Sequence, residues 1–186
     1  MATRAPSPKT SPAKKSPVAS TARTARAKDA CDLLEADHKA VRKLFDEYRT
    51  LAGSRARSAV AKKQELAAQI CMELTVHAQL EEEIFYPAAR GVVKDKSLLN
   101  EASVEHASTK DLITQIRAMD ASDALFDAKV LVLGEYVDHH VKEERNELFP
   151  KVRESRLNLL ALREELAQRK EQLMSEMQEV GEPEMV

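Results

Sequence analysis

Apolar side chains recur every three or four residues through most of the chain, and polar turns divide this pattern into four stretches. The period is that of one face of an α-helix, so each stretch is predicted to form an amphipathic helix. Asp29 stands just before the first stretch and is the residue type that caps a helix N-terminus. Because short breaks favour antiparallel neighbours, the sequence predicts an all-α, up-down-up-down four-helix bundle. The four apolar stripes occupy residues 34–48, 66–88, 99–116 and 126–148.

A fifth amphipathic stretch follows Pro150, a residue that predicts either the end of the fourth helix or a kink in it. Residues 153–186 are therefore predicted to form an extra C-terminal helix and tail. This helix is too short to establish a coiled coil, and two arrangements stay open. It either folds back on the bundle or joins two copies of the chain as a homodimer. Its apolar positions recur every seven residues, at Leu159, Leu166, Leu173 and Val180.

Residues 1–28 differ in composition from the rest of the chain. They hold four prolines and seven basic residues, with no acidic residue and almost no large apolar one. Such a segment cannot bury enough surface to fold, so it is predicted to be a disordered tail. The remaining residues carry 22 basic and 31 acidic side chains, a net charge of −9. A basic tail on an acidic body suggests that the tail has its own binding partner or acts as a targeting signal.

The tail allows three interpretations. Its Ser-Pro-Lys and Ser-Pro sequences resemble those of linker-histone tails, which neutralise phosphates without reading sequence. It therefore acts either as a solubilising segment or as a weak nucleic-acid contact through residues 1–28. A transit peptide is the third option, but the four prolines argue against the amphipathic helix that such peptides form.

The remaining composition predicts a cytoplasmic protein. No apolar run is long enough to cross a membrane, and the N-terminus lacks the apolar stretch of a secretory signal. Two cysteines, Cys31 and Cys71, do not form a disulfide framework. On adjacent antiparallel helices they would lie roughly 20 Å apart, so both are predicted to be reduced thiols.

Four of the five histidines fall on the apolar stripes, one on each predicted helix. Histidine is an awkward core residue because both ring nitrogens need partners. One buried histidine is usually hydrogen-bonded within a core, but four in one bundle indicate a common purpose, for which metal ligation is the main candidate. The alternative is a metal-free polar core in which the histidines bond to nearby glutamates.

Two of these histidines belong to a repeated motif. His77 and Glu81 are four residues apart, as are His140 and Glu144, so each pair shares a helix face. Each motif runs on to a proline ten residues after its histidine, and His38 and His106 each follow an acidic residue. The chain thus reads as two helix hairpins that each offer a histidine and then a His-x-x-x-Glu pair. Packed together, they would gather four histidines and two glutamates in mid-bundle.

These elements, in this order over about residues 29–152, resemble the hemerythrin-like (HHE cation-binding) family. The resemblance implies two non-haem iron ions with an oxo or hydroxo bridge, with the histidines as terminal ligands and the glutamates as bridges. Two histidines, two shared carboxylates and one shared oxygen give each iron five ligands, which leaves one position open for a small diatomic or peroxide ligand. Six nitrogen and oxygen ligands without sulfur suit iron better than zinc. The predicted metal ligands are His38, His77, Glu81, His106, His140 and Glu144.

The sequence departs from oxygen-carrying hemerythrins, which supply a His-x-x-x-His pair from their third helix. Lys110 stands four residues after His106, so this pattern does not favour reversible O2 transport. His139 lies about 100° around the helix from His140 and is expected on a neighbouring face. Tyr136, one turn before His140, is expected to pack in the core or, as an alternative, to stabilise a bound oxygen species. Asp37 and Glu105 either orient ligands or are surface acids.

Three functions fit these features. The first is a binding protein that senses or stores O2, peroxide, NO or iron. The second is an enzyme in which the same centre acts on peroxide or NO, or donates iron for cluster repair. The third is a metal-responsive adaptor whose tail binds nucleic acid. The first is preferred, because the resemblance implies this class and the open coordination position supports it.

Overall fold

The computed structural model describes residues 27–94 and 96–181, and every regular element within them is helical, as predicted. The predicted disordered tail lies outside the described residues, apart from residues 27–28. Four antiparallel arms form the bundle. The arms are α1 (Ala30–Leu51); α2 (Arg57–Leu80) with a π-helical turn (Glu81–Phe85) and α3 (Tyr86–Val92); α4 (Ser97–Arg117); and α5 (Phe126–Glu143) with a second π-helical turn (Glu144–Leu148) and α6 (Phe149–Arg153).

The arms close into a ring in which α1 and α4 each contact both α2 and α5. The first arm begins as predicted, at an N-cap on Asp29. The Asp29 side chain accepts a hydrogen bond from the Asp32 N–H (3.0 Å), and the Asp32 side chain accepts one from the Asp29 N–H (2.8 Å). This reciprocal capping box satisfies two amide groups that a helix start would otherwise leave unpaired.

Two π-helical turns interrupt the second and fourth arms, which the sequence pattern predicted as continuous helices. The Tyr86 N–H bonds to the carbonyl of Glu81, and the Phe149 N–H bonds to that of Glu144, five residues back in each case. A proline follows each turn, and since proline has no N–H it cannot extend the regular α-helical bonding. The fourth arm nevertheless continues through Pro150 to Arg153, so its irregularity lies before the proline.

The core consists of two apolar clusters, one towards each end of the bundle. Leu34, Phe85 and Phe149 belong to one cluster, whereas Phe45 and Leu133 belong to the other. The predicted ligands belong to neither cluster and form a buried polar layer between them.

The fifth helix, α7 (Leu159–Gly181), folds back on the bundle, the first of the two predicted arrangements. It packs on α1, α2 and the first π-helical turn, and buries Leu162, Leu166 and Leu173 there. Its Lys170 ammonium donates to Asp37 Oδ1 (2.6 Å), beside the polar layer. A homodimer through α7 would have to use the opposite face of this helix and stays a prediction.

Both cysteines are free, as the spacing along the two helices predicted, and both are buried. Cys31 lies in one apolar cluster and Cys71 in the other, so the polar layer separates them. Burial raises the pKa of Cys31 to about 12 and that of Cys71 to about 11. Both thiols therefore remain protonated at neutral pH. Among the described residues, no helix has the length and apolar character needed to cross a membrane.

Candidate metal centre

All six predicted ligands point into the polar layer, and each is at most 7% exposed. The four bundle arms supply one histidine apiece, and each glutamate is the first residue of a π-helical turn. The side chains form two groups whose potential ligand atoms lie within 4.8 Å of one another. These groups are His38, His77, Glu81 and Glu144, and Glu81, His106 and His140.

The first histidine pair, His38 and His77, joins the two helices of the first hairpin. The two Nε2 atoms lie 2.9 Å apart and the rings meet edge to face, with an interplanar angle of 69°. Both Nε2 atoms point at carboxylates. His77 Nε2 is 3.2 Å from Glu81 Oε1, and His38 Nε2 is 3.3 Å from Glu144 Oε2.

The second histidine pair, His106 and His140, repeats this arrangement in the second hairpin. Its Nε2 atoms lie 3.2 Å apart. His106 Nε2 is 3.3 Å from Glu81 Oε2, and His140 Nε2 is 3.6 Å from Glu144 Oε2. Each glutamate therefore contacts both histidine pairs, which is the geometry required of a carboxylate that bridges two metal ions.

Two oxygens of these shared glutamates show that a cation suits the site. Glu81 Oε1 and Glu144 Oε2 are buried and have no hydrogen-bond partner among the described residues. Both face the Nε2 atoms of the first histidine pair. A buried carboxylate oxygen is costly unless a donor or a cation compensates for its lost hydration. The donor set is four imidazoles and two carboxylates without sulfur, which suits a divalent or trivalent cation of borderline hardness.

Acidic side chains outside the layer accept hydrogen bonds from the outer ring nitrogens of the second histidine pair. The Nδ1–H of His140 donates to Glu105 Oε2 (2.8 Å), and that of His106 donates to Glu82 Oε1 (3.0 Å). These bonds fix the ring tautomer, so that Nε2 keeps its lone pair for a metal. Glu105 thus orients a candidate ligand, one of the two roles that the sequence left open for it.

The outer support of the first histidine pair is weaker. Asp37 Oδ2 lies 3.9 Å from His77 Nδ1, too far for a hydrogen bond. Within the described residues, His38 Nδ1 has no hydrogen-bond partner. The two halves of the layer therefore share their ligand types but differ in how firmly the rings are held.

Lys110, the residue that departs from the oxygen-carrier pattern, contributes to this support. Its ammonium donates to Glu82 Oε1 (2.7 Å) at the surface, and Glu82 in turn accepts from His106. Lys110 therefore steadies the carboxylate behind a candidate ligand and does not point into the layer. A fifth histidine is absent from the described layer, as the sequence predicted.

Tyr86 is the polar residue of the centre that the sequence analysis missed. It is 5% exposed, and its hydroxyl donates to Glu144 Oε1 (3.0 Å). The Tyr86 hydroxyl oxygen also lies 3.3 Å from both Glu81 Oε2 and His140 Nε2. The first π-helical turn brings this residue inward, since it follows Glu81 by five positions and this turn closes a five-residue bond. Its place directly before the proline that ends both repeated motifs was the available signal.

The prediction for Tyr136 is wrong, because its side chain is 48% exposed and lies neither in the core nor in the polar layer. It lines a surface groove between α4 and α5 together with Glu105 and His139. Because Tyr136 precedes His140 by about one turn, the sequence pattern placed it on the same inward face. That face rotates gradually around the helix, and Tyr136 lies beyond its edge. His139 lies on the neighbouring face as predicted, with 63% of its side chain exposed.

A small cavity adjoins the histidine side of the centre. Its volume is about 30 Å³, and its lining includes all four layer histidines but neither shared glutamate nor Tyr86. Apolar side chains form most of the remaining wall, together with Asp37 and Thr109; the apolar residues are Val41, Leu74, Ala78, Val137 and Val141. A space of this size holds one small molecule, since a single water needs about 10–15 Å³ by the same measure.

Opposite charges stabilise one another inside the layer. Burial alone would lower the pKa of His77, but the charge of Glu81 beside it outweighs burial and raises that pKa to about 10. Burial would raise the pKa of Glu81, but the charge of His77 holds it well below its usual range. In the metal-free protein an imidazolium thus compensates a carboxylate. A bound cation would take over this role and release the proton.

Comparison with known proteins identifies the family. The model of the hemerythrin HHE cation-binding domain matches residues 29–152, two-thirds of the chain. The chain therefore belongs to the hemerythrin HHE cation-binding domain family, which confirms the resemblance drawn from its motifs. Membership makes it a cation-binding protein, and the buried His and Glu groups are side chains that could hold the ions.

One protein of similar sequence and one of similar structure were found. A DNA nickase of Nostoc sp. (strain PCC 7120 / SAG 25.82 / UTEX 2576) is 33% identical over 122 residues, which are 66% of this chain and 33% of that protein. The chain thus spans about a third of the length of that relative. The crystal structure of an HHE cation-binding domain-containing protein from Mycobacterium kansasii, an Rv2633c homolog, has a TM-score of 0.61 and 22% identity. It covers 80% of this chain and 89% of its own, and at this identity it shows the fold alone.

Proposed function

We propose that this protein holds two non-haem iron ions, joined by an oxo or hydroxo bridge, and uses them to bind or sense O2, peroxide, NO or iron. The observation that carries the proposal is that two glutamates each contact both histidine pairs. The first histidine pair would hold one ion, the second pair the other, and the shared glutamates both. The proposed ligands are His38, His77, Glu81, His106, His140 and Glu144.

The donor chemistry supports iron. Two imidazoles and two shared carboxylate oxygens for each ion leave an octahedral ion with room for further ligands, whereas structural zinc is usually closed by four. The absence of sulfur among the described candidate ligands points the same way. When bound, the iron pair supplies an open coordination position and reversible electron transfer.

The surrounding residues select what reaches the centre and hold its parts in place. The apolar cavity of about 30 Å³ admits a diatomic molecule or peroxide and excludes larger substrates. Glu105 and Glu82 hold the Nδ1–H groups of the second histidine pair. The Tyr86 hydroxyl keeps a proton within 3.4 Å of both rings of this pair and of both glutamates.

The experiment is the iron content of the protein purified under native conditions, with its optical spectrum before and after exposure to air. Close to two irons per chain is the result expected from two sets of ligands. His77→Ala and Glu81→Gln should each lose iron, since each removes a donor from the layer. Glu83→Gln is the matched control, because this neighbouring glutamate is exposed and pairs with Arg169 of α7. Iron retained by His77→Ala, or one zinc per chain, would overturn the proposal.

A second candidate function is nucleic-acid binding by the basic tail. The DNA nickase among the relatives favours it, together with the seven basic residues of the segment. We propose a division into this tail (1–28), the bundle (29–152) and the C-terminal helix and tail (153–186). Removal of residues 1–26 should weaken binding to duplex DNA and its dependence on salt, because fewer phosphates would be neutralised. Fluorescence anisotropy at several salt concentrations tests both effects, and equal binding by the full and shortened chains at each concentration would refute the proposal.

A further inference from the structure

A third group of potential metal ligands lies on the outside of the bundle. The fourth arm carries the His-x-x-x-Glu motif twice, one residue apart: His139 with Glu143, and His140 with Glu144. One residue turns a helix by about 100°, so the first pair faces away from the polar layer. Glu105 of α4 reaches across the groove to complete this outer group.

Two of the separations within the outer group suit a bound cation. His139 Nε2 lies 3.4 Å from Glu143 Oε1 and 3.5 Å from Glu105 Oε1. These separations exceed the roughly 2.9 Å of a good N–H···O hydrogen bond. They match the edge of a tetrahedron around an ion bound at about 2.1 Å, which is about 3.4 Å. All three potential ligand atoms lie within 4.8 Å of one another.

The surroundings also favour a cation. The group lines an open groove of about 590 Å³ between α4 and α5. Glu105 and Glu143 are half-buried, so their carboxylates are less hydrated than those of free surface acids. The groove leaves room for water to complete the coordination of an ion that has three protein ligands.

One carboxylate connects the outer group to the buried layer. Glu105 turns Oε1 towards His139 and accepts the hydrogen bond from His140 Nδ1 on Oε2 (2.8 Å). A cation on Oε1 withdraws negative charge from the whole carboxylate. The hydrogen bond that holds the His140 ring then weakens, because its acceptor is less negative.

We infer that Glu105, His139 and Glu143 form a surface site for a divalent transition-metal ion such as Zn2+, and that an ion bound there loosens the hold on His140. The surface site stands on its own geometry. Its coupling to the buried centre rests on the proposed function, because it acts through a ligand of that centre. Zn2+ outside would thereby lower the affinity for metal inside.

Counting bound zinc tests the surface site separately from the buried centre. The metal-free protein is dialysed against micromolar free Zn2+, and zinc per chain is measured by mass spectrometry. His139→Ala should bind one zinc fewer than the wild type, whatever the total. Glu101→Gln is the matched control, because this acid of the same groove is not among the three ligands, and it should bind as many as the wild type. Circular dichroism checks that each variant is folded.

The outcomes separate the two proposals. Three zinc ions in the wild type and two in His139→Ala support both sites. One in the wild type and none in His139→Ala support the surface site and show that the buried layer does not take up zinc. Equal numbers in the wild type and His139→Ala, or an equal loss in Glu101→Gln, would overturn the surface site.

The coupling has a test of its own in the iron-loaded protein. Transfer of iron to an external chelator is timed with and without micromolar Zn2+. Zinc should increase the rate of iron transfer several-fold in the wild type and should leave the rate unchanged in His139→Ala. The same acceleration in both proteins, or none in the wild type, would contradict the coupling through Glu105.

Discussion

Tyr86 brings a hydroxyl proton into a layer otherwise built from imidazoles and carboxylates. Its oxygen lies within 3.4 Å of both shared glutamates and of both rings of the second histidine pair. Burial raises the pKa of Tyr86 well above its usual value, and the charges of Glu144 and Glu81 add to this effect. The proton therefore stays on the hydroxyl, which acts as a fixed donor to Glu144.

Removal of this hydroxyl should destabilise the metal-free protein. In Tyr86→Phe the buried carboxylate of Glu144 loses its donor at 3.0 Å, and a hydrogen bond to a charged group contributes about 1.5–3 kcal/mol. Urea unfolding of the chelator-treated protein measures the loss. Tyr136→Phe is the control, since that tyrosine is 48% exposed and should change the free energy of unfolding little. Equal urea midpoints for the two variants would contradict the proposed role of Tyr86.

The pKa of His77 makes the stability of the metal-free protein depend on pH. This pKa is about 10 in the folded chain against 6.5 for the free side chain. The imidazolium therefore contributes stability that is complete below pH 6.5 and is lost as the pH rises through 10. Glu81, whose pKa is lowered, contributes in the opposite sense, with stability that is lost as the pH falls below its usual range.

The free energy of unfolding of the chelator-treated protein should accordingly fall between pH 7 and pH 9. Each pH unit costs at most about 1.4 kcal/mol for one such group. Urea titrations at several pH values follow the decline. His77→Gln should flatten it, because the amide carries no titrating proton. A decline that is equally steep in His77→Gln would assign the effect to other groups.

At the scale of single residues, the six side chains of the layer could be predicted because helical spacing constrains which residues share a face. His77 with Glu81 and His140 with Glu144 are four apart, and one helix turn keeps each pair together. Tyr86 could not be placed this way, since five positions from Glu81 is off the face of a regular helix. Only the π-helical turn brings it inward, and that turn leaves no periodic signal.

At the scale of the elements, the long helices follow from the apolar period, whereas the π-helical turns do not. Each turn adds one residue to a helical cycle and thereby shifts the phase of the stripe after it. The prolines at positions 87 and 150 marked both places, but a missing N–H fits an ended, kinked or π-helical arm equally well. The choice among these depends on packing between arms.

At Gly134, α5 passes close to Phe45 of α1. A Cβ built on Gly134 would lie 3.1 Å from Cδ1 of Phe45, so this contact leaves no room for a larger side chain. Gly134→Leu should therefore lower the free energy of unfolding by about 1–3 kcal/mol through overpacking. Gly91→Leu is the control, because a Cβ there meets no heavy atom within 4 Å. Thermal unfolding of both variants checks this, and similar losses would show that the α1–α5 contact is not tight.

At the scale of the whole molecule, α7 extends the core beyond the residues that match the family. The match ends at residue 152, but α7 buries three leucines against the bundle and places Lys170 on Asp37. The seven-residue repeat predicted an amphipathic helix without stating its partner. The surface that α7 covers depends on the loop at 154–158 and on the shape of the bundle. The seven-residue repeat predicts neither of these.

A pair of leucines on opposite faces of α7 tests this packing. Leu166 is fully buried, so Leu166→Ala should cost about 2–5 kcal/mol in the free energy of unfolding. Leu160 is 50% exposed, and Leu160→Ala should change it by less than about 1 kcal/mol. Urea unfolding of the two variants gives the comparison. If the exposed leucine proved the costlier loss, α7 would pack by its other face, as a dimer through this helix would require.

Each hairpin shares its glutamate with the histidine pair of the other hairpin. Glu81 of the first hairpin contacts His106 of the second, and Glu144 of the second contacts His38 of the first, both at 3.3 Å. Neither hairpin alone can therefore supply the whole set of proposed ligands, so capture of the proposed ions would follow the docking of the two hairpins. The proposed ions would then link the two hairpins. A chain cut within the 118–125 loop would still hold its halves together for as long as the metal remained.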